Sequence, residues 1–250
     1  MEEVVPLLEQ VPALRMVAEA FADLGARIGA ASSKNVLEAI TEVTSERLTG
    51  ATSVSITQLR GSSYWTAAAI DDRARRADAI QYELGSGPCI DAIVKETLYW
   101  PTDLSHDPRW PEFGRRVVDE IGFRSMLSYR MNVGDQGSAA GLNIYGDEEN
   151  AFTDSDVMLG LLLATHGAQA ATAAGHREHV DNLERALQSN RVIGTAMGIL
   201  MAQHMVTQDQ AFDLLRIASQ NTNRKLAEVA RDVTETGALD VSPEGRRGRR

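Results

Sequence analysis

Cys89 is the one cysteine among 250 residues, and it stands directly behind the turn Gly85-Ser86-Gly87-Pro88. A thiol in that place could act as a nucleophile or a redox sensor if a base lay beside it. The sequence offers no histidine or aspartate partner for it, so a small buried hydrophobe is the stronger reading. The same turn, leading into the helix-like segment Ile90–Glu96, could expose backbone N–H groups to a phosphate. It lacks the Gly-Lys-Ser/Thr ending of a phosphate-binding loop, and Gly-Pro is a common turn. His176 and His179 have the spacing of one helix face, yet two ligands are too few for a metal. Asp103, Asp107 and Arg109 read as turn builders, and Trp65, Trp100 and Trp110 as core or pocket walls. No catalytic residue, metal ligand or cofactor is assigned, and the chain does not read as an enzyme.

A second chemistry is anion binding. Arg224 and Lys225 read as the first turn of the last helix, where cations are the wrong sign for the free N–H groups and the macrodipole. An arriving phosphate would turn that misfit into a site; the plainer reading lets both side chains bend into water. The formal net charge of −10 argues against a protein that coats nucleic acid without specificity, but leaves room for a locally basic face. A single thiol excludes an intramolecular disulfide and suits a reducing compartment. The N-terminus is acidic where a secretory signal is basic. The longest apolar run, residues 157–164, is far short of the ~20 residues of a membrane span. A cytoplasmic protein without a membrane partner is expected.

The elements that must position these groups fall into three textures. Residues 10–153 mix helical and strand patterns. Leu14, Val17, Phe21 and Leu24 recur at helical spacing, as do Val36, Leu37, Ile40, Val43 and Leu48. Residues 51–59 and 64–70 alternate around Arg60-Gly61-Ser62-Ser63 and read as a hairpin. Residues 98–101, 126–133 and 138–146 are further strands, the last two flanking Gly134-Asp135-Gln136-Gly137. Hairpins mixed with helices predict an α+β fold, an antiparallel sheet flanked by helices.

Residues 154–182 read as a connecting helix, begun by Thr153-Asp154-Ser155-Asp156. A heptad register runs through Leu159, Leu162, His166, Gln169, Ala173, His176, Val180, Leu183, Leu187, Asn190, Gly194, Met197, Met201 and His204. Either this helix packs back on its own sheet and the register is coincidence, or it pairs with its copy in a coiled coil. Gly175 could allow a break between its halves. Gly194 and Gly198 sit inside the helix, each costing about 1 kcal/mol relative to alanine. The expected reason is close approach of the two short helices that follow. Thr207 with Gln210 has the pattern of a capping box, and a third helix is expected from about Thr222-Asn223 to Gly237. Residues 238–250 read as a basic, disordered tail.

Several spaced elements in residues 183–237 agree in order with a known family. Arg191-Val-Ile, Ala196 to Met201, Ala211-Phe212, Leu215-Arg216, Asn223 to Leu226 and Val229-Ala230 resemble the ANTAR domain. Upstream, Gly85 to Asp91, Asp103 to Trp110, Gly122 to Ser125, Gly141 to Tyr145 and Ala151-Phe152 resemble a GAF sensor domain. The fold implied is a GAF-like sheet joined by a long helix to a small three-helix ANTAR-like bundle. The ANTAR resemblance implies an RNA-binding module that grips paired hairpins of nascent transcripts and prevents a terminator from forming, as a homodimer. Contacts are expected from Arg191, Arg216, Thr222, Asn223, Arg224 and Lys225. Met197 departs from the family pattern, where a basic residue is frequent. The GAF resemblance implies a pocket for a small molecule, placed near Cys89, Trp100 and Tyr129. The alternative is a small-molecule or redox sensor whose C-terminal helices bind a protein instead of RNA.

Overall fold

The computed structural model describes residues 12–28, 32–95, 97–134 and 139–239. Residues 135–137 of the expected turn, and all but the first two of the expected tail, lie outside them. The chain divides into two units, Met1–Glu178 and His179–Arg250.

The first unit is built on an antiparallel five-stranded sheet of order β2-β1-β5-β4-β3, with β1 Ser53–Arg60, β2 Ser63–Ala69, β3 Leu98–Tyr99, β4 Ser125–Asn132 and β5 Ala139–Gly146. The hairpin joining β1 to β2 turns at Gly61, whose φ of 61° suits glycine. Side chains alternate across the strands. Val54, Ile56, Leu127, Tyr129, Met131, Ala140, Leu142 and Ile144 share one apolar cluster with helices α1 (Pro12–Ile28), α2 (Ser33–Arg47) and the first part of a long helix. Met126, Ala139 and Tyr145 join the other cluster, with α3 (Asp72–Leu84), α4 (Pro88–Lys95) and α5 (Pro111–Glu120). Across α1 and α2, Arg47 pairs with Glu19 and Asp23, and Arg27 with Glu42 and Glu46.

The long helix, α6, runs unbroken from Asp154 to His204, so Gly175 does not divide it. Thr153 and Asp156 cap its start reciprocally: Thr153 N–H donates to Asp156 Oδ2 at 2.8 Å and Asp156 N–H to Thr153 Oγ1 at 3.3 Å. Among the described residues one helix is long and apolar enough by composition to cross a membrane, and it is this one. Its apolarity has another cause, because Leu159, Leu163, Ala164, Ala168, Ala171 and Ala174 are buried against the sheet and α2. In this unit the helix packs back on its own sheet. His166, Gln169, Ala173 and His176 of the heptad register stay exposed, beside the buried face and not on it.

In the second unit, the remainder of α6 packs with α7 (Gln208–Thr222) and α8 (Leu226–Thr236). The capping box forms as expected, Gln210 N–H donating to Thr207 Oγ1 and Thr207 N–H to Gln210 Oε1. The glycine expectation is overturned. Ala196 and Leu200, fully buried, seat the short helices, whereas a Cβ on Gly194 or Gly198 would meet nothing within 4 Å. The start of the last helix is corrected too. α7 continues to Thr222 and ends on Asn223 in the left-handed conformation, φ 54°. Lys225 is then the N-cap of α8, and Glu228 is the charge in its first turn. Arg224 and Lys225 therefore lie in a connection, and the helix-start anion site built on them falls away.

A Cβ on Gly114 of α5 would overlap the Leu104 carbonyl oxygen, while one on Gly175 meets nothing within 4 Å. Gly114→Ala should cost about 3 kcal/mol, and Gly175→Ala should add up to about 1 kcal/mol. Urea unfolding reads both, and similar small effects at the two positions would contradict the packing of α5.

Candidate functional site

The second unit gathers the cations expected to meet RNA. α8 ends at Gly237, beside Gln203 in the last turn of α6, so the connection 223–225 lies at the opposite end of α8, about 16 Å away for its eleven residues. Asn223 and Lys225 are exposed there. Arg224 is half-buried, its Nη1 donating to Asp232 Oδ2 at 2.6 Å, while its carbonyl accepts from Ser219 Oγ at 2.6 Å. Arg216 forms an exposed pair with Asp213 at 2.9 Å on α7. An exposed pair such as Arg216–Asp213 is worth about 0–1 kcal/mol, whereas Arg224–Asp232 is part-buried. Arg191 and Lys225 have no ion-pair partner among the described residues. Thr222 is placed differently from the other five. It is buried, and its hydroxyl donates to the Ala218 carbonyl at 2.7 Å, so it packs the bundle and presents nothing to a ligand.

In the first unit the three residues expected to line one pocket are separated. Tyr129 and Trp100 belong with the α1–α2–α6 cluster, Tyr129 donating its hydroxyl to the Val157 carbonyl at 2.9 Å. Cys89 is fully buried on the other side of the sheet, in the α3–α4–α5 cluster, where a Cβ on Gly141 would come within 2.8 Å of its sulfur. The sheet stands between them. Burial pushes the Cys89 thiol up to about 12, so it stays protonated at neutral pH and is a poor nucleophile. Gly85 is the left-handed C-cap of α3, and a Cβ on Gly87 would collide with Gln81; the Gly-Ser-Gly-Pro turn joins two helices. Asp103, Ser105 and His106 approach a hydrolytic trio in composition only. Ser105 Oγ and Asp103 Oδ2 both meet Nδ1 of His106, at 2.8 and 2.7 Å, leaving no relay through the ring.

A feature that the sequence reading missed lies on the α3 side of the sheet. Asp78 of α3 is fully buried, with Ser55, Thr57, Ser128, Asn143 and Gln81 buried around it. Burial holds its carboxyl above the ordinary aspartate range, against the hydrogen bonds from Tyr145, Thr66, Ser55 and Asn143 that pull it down. The alternation of Ser53, Ser55 and Thr57 in β1 was the one visible signal, and it is the usual signature of a solvent-facing side.

Comparison with known proteins follows the same division. The GAF domain model matches residues 30–171, and the ANTAR domain model matches residues 181–233. No curated protein sequence matches the chain. The GAF domain of a phosphoenolpyruvate-protein phosphotransferase from Coxiella burnetii is 16% identical, with a TM-score of 0.51 over 67% of this chain and 96% of that one. The photosensory core module of a Stigmatella aurantiaca phytochrome is 12% identical, with a TM-score of 0.53 over 92% of this chain and 46% of that one. At such identities the likeness is one of fold.

Because Cys89 is buried and protonated, a thiol reagent should react with the folded protein at least about a hundredfold more slowly than with the protein in denaturing urea. Comparable rates would contradict its burial between α4 and the sheet.

Proposed function

Because the chain belongs to the GAF domain family and carries an ANTAR domain at residues 181–233, we propose that it is an antitermination regulator. It binds paired hairpins of nascent transcripts, in the cytoplasm, under control of its sensor domain. The observation that carries this reading is the ANTAR match itself, joined to the cluster of Asn223, Arg224 and Lys225 at one exposed connection. Arg191 and Lys225 supply phosphate contacts, Arg216 and Arg224 exchange their surface carboxylates for phosphates, and Asn223 hydrogen-bonds to unpaired loop bases.

The working form is a homodimer. Val180, Leu183 and Leu187 are 52%, 54% and 62% exposed, and they keep heptad spacing in a stretch of α6 whose other residues, Ala186 apart, are polar. Asn190, Gly194 and Met197 continue the line. Leaving such a stripe in water forfeits roughly 1.5–3 kcal/mol per large side chain, and a parallel copy would cover it. The missing side chain at Gly194 lets the copies approach closely. Two matching ANTAR surfaces then meet two hairpins. α6 is the element through which the sensor domain would act on this pairing; the small molecule that the sensor domain takes is not named by its residues.

One observation favours the alternative, a protein partner. A groove of about 470 Å³ between α6 and α7 is lined by Ile193, Met197 and Phe212, with Asp209 and Asp213 among its other walls, a poor seat for phosphate. A gel shift separates the two readings. A two-hairpin RNA should be retained by the full chain, and Lys225→Ala or Arg191→Ala should weaken it evenly across sequences and lower the salt slope by about 1 each. No retention of any hairpin pair leaves the protein-partner reading. For the dimer, Gly194→Ala decides by sign. In a lone helix it should stabilise by about 1 kcal/mol; under a close partner it should shift the sedimentation of the chain toward monomer.

A further inference from the structure

Asp78 is held by four donors drawn from three strands. Its Oδ1 accepts from Ser55 Oγ of β1 at 2.9 Å, from Asn143 Nδ2 of β5 at 3.0 Å and from Tyr145 OH of β5 at 2.7 Å. Its Oδ2 accepts from Thr66 Oγ1 of β2 at 2.8 Å. A second ring of bonds fixes these donors. Ser128 Oγ donates to Asn143 Oδ1 at 2.9 Å, which sets the amide so that its NH2 faces Asp78. Tyr82 OH meets Thr57 Oγ1 at 2.7 Å and Thr66 Oγ1 at 3.2 Å. The Tyr145 ring is stacked on Phe123 with centroids 4.7 Å apart. None of the four partners is a cation.

A buried carboxylate without a counter-charge is an expensive way to fasten a helix to a sheet; apolar residues would do it at less cost. What this donor set does that an apolar patch cannot is recognise a pair of carboxylate oxygens. We propose that the inner face of the sheet is a binding site for a small carboxylate, which Asp78 occupies as a tethered ligand of its own chain. A free acid and the Asp78 carboxylate then exclude one another. α3 is held besides by the Tyr82 hydroxyl on Thr57 and Thr66, by buried Ala74, Ala77 and Ile80, and at its edges by Ser53 with its N-cap Asp71, Arg73 with Asp147 and Arg76 with Glu120, so the helix keeps its seat when the Asp78 side chain is absent. A tethered group has a large advantage in effective concentration, so the intact chain is closed to millimolar acids and the site opens when the Asp78 side chain is absent.

The test compares thermal unfolding of the full chain in sodium formate with that in sodium chloride of equal concentration. Asp78→Ala should melt lower than the parent chain and gain at least about 4 °C, saturably, with formate over chloride. Asp78→Asn refills the site and, like the parent chain, should respond to the two salts alike. Equal responses of Asp78→Ala to formate and chloride would overturn the proposal, as would a formate-specific gain in Asp78→Asn. Should Asp78→Ala fail to fold in chloride, its refolding from urea is the readout. Recovery in formate alone supports the site, and equal failure in both salts rejects it.

Discussion

How near a helix can come to a sheet decides the form of the sensor unit. A Cβ on Gly160 would lie 2.6 Å from the Tyr129 hydroxyl oxygen, and one on Gly167 would lie 2.8 Å from Ile40 Cδ1. Together with Ala164, Ala168, Ala171 and Ala174 these residues leave the buried face of α6 with Leu159 and Leu163 as its large side chains, so that beyond Leu163 the sheet and α2 approach close to the helix backbone. Larger residues there would lift the helix by a methyl or more, and interiors packed at crystal density do not absorb such volume. The same helix carries glycines again in the second unit, where nothing presses on them. Two glycine pairs on one helix thus have different physical meanings, and only their neighbours tell them apart.

The two sides of the sheet are unlike. The α1–α2–α6 side is apolar, built from Val54, Ile56, Leu127, Leu142 and Ile144. The α3–α4–α5 side mixes Cys89, Ile93 and Phe113 with a network of hydroxyls and amides around Asp78. Such a network has to be satisfied throughout or it is worse than none, and its members here all have partners. It also explains why the lone thiol is quiet: Cys89 sits beside a buried carboxylate and away from any cation, so both burial and the Asp78 charge oppose ionisation.

Strands were legible because alternation and turn glycines are local. The β1–β2 hairpin, β4 and β5 all fall within a residue or two of their expected spans. No helix was read over Asp72–Leu84 or Pro111–Glu120, because each has charged residues on most of its surface and buries small or scattered ones. Asp78 looks like a neighbour of Arg75 and Arg76 in sequence, and only the sheet turns it inward. The start of the last helix differs from its expected place for a similar reason. Ser219, Gln220 and Asn221 resemble a stop, but α7 continues because Thr222 is buried and bonds back to Ala218, and Asn223 supplies the left-handed exit. The grouping of Cys89 with Trp100 and Tyr129 failed because nothing in the sequence shows which side of the sheet each residue takes.

These placements bear on how the ANTAR unit could discriminate among nucleic acids. Its cations are few and half of the expected set is paired: Arg216 with Asp213 and Arg224 with Asp232. A surface of that kind attracts a polyanion weakly at a distance, since each carboxylate cancels the field of its arginine beyond about a Debye length of 8–10 Å. Contact is another matter. A phosphate that arrives at the right spacing replaces one exposed carboxylate with another anion at small net cost, while one at the wrong spacing finds the pairs still closed. In the proposed RNA complex the acidic neighbours would therefore raise the demand on geometry at the expense of raw affinity. In the proposed homodimer, two such surfaces linked through α6 would recover affinity by simultaneous engagement, because a second hairpin would then bind at the effective concentration set by the first.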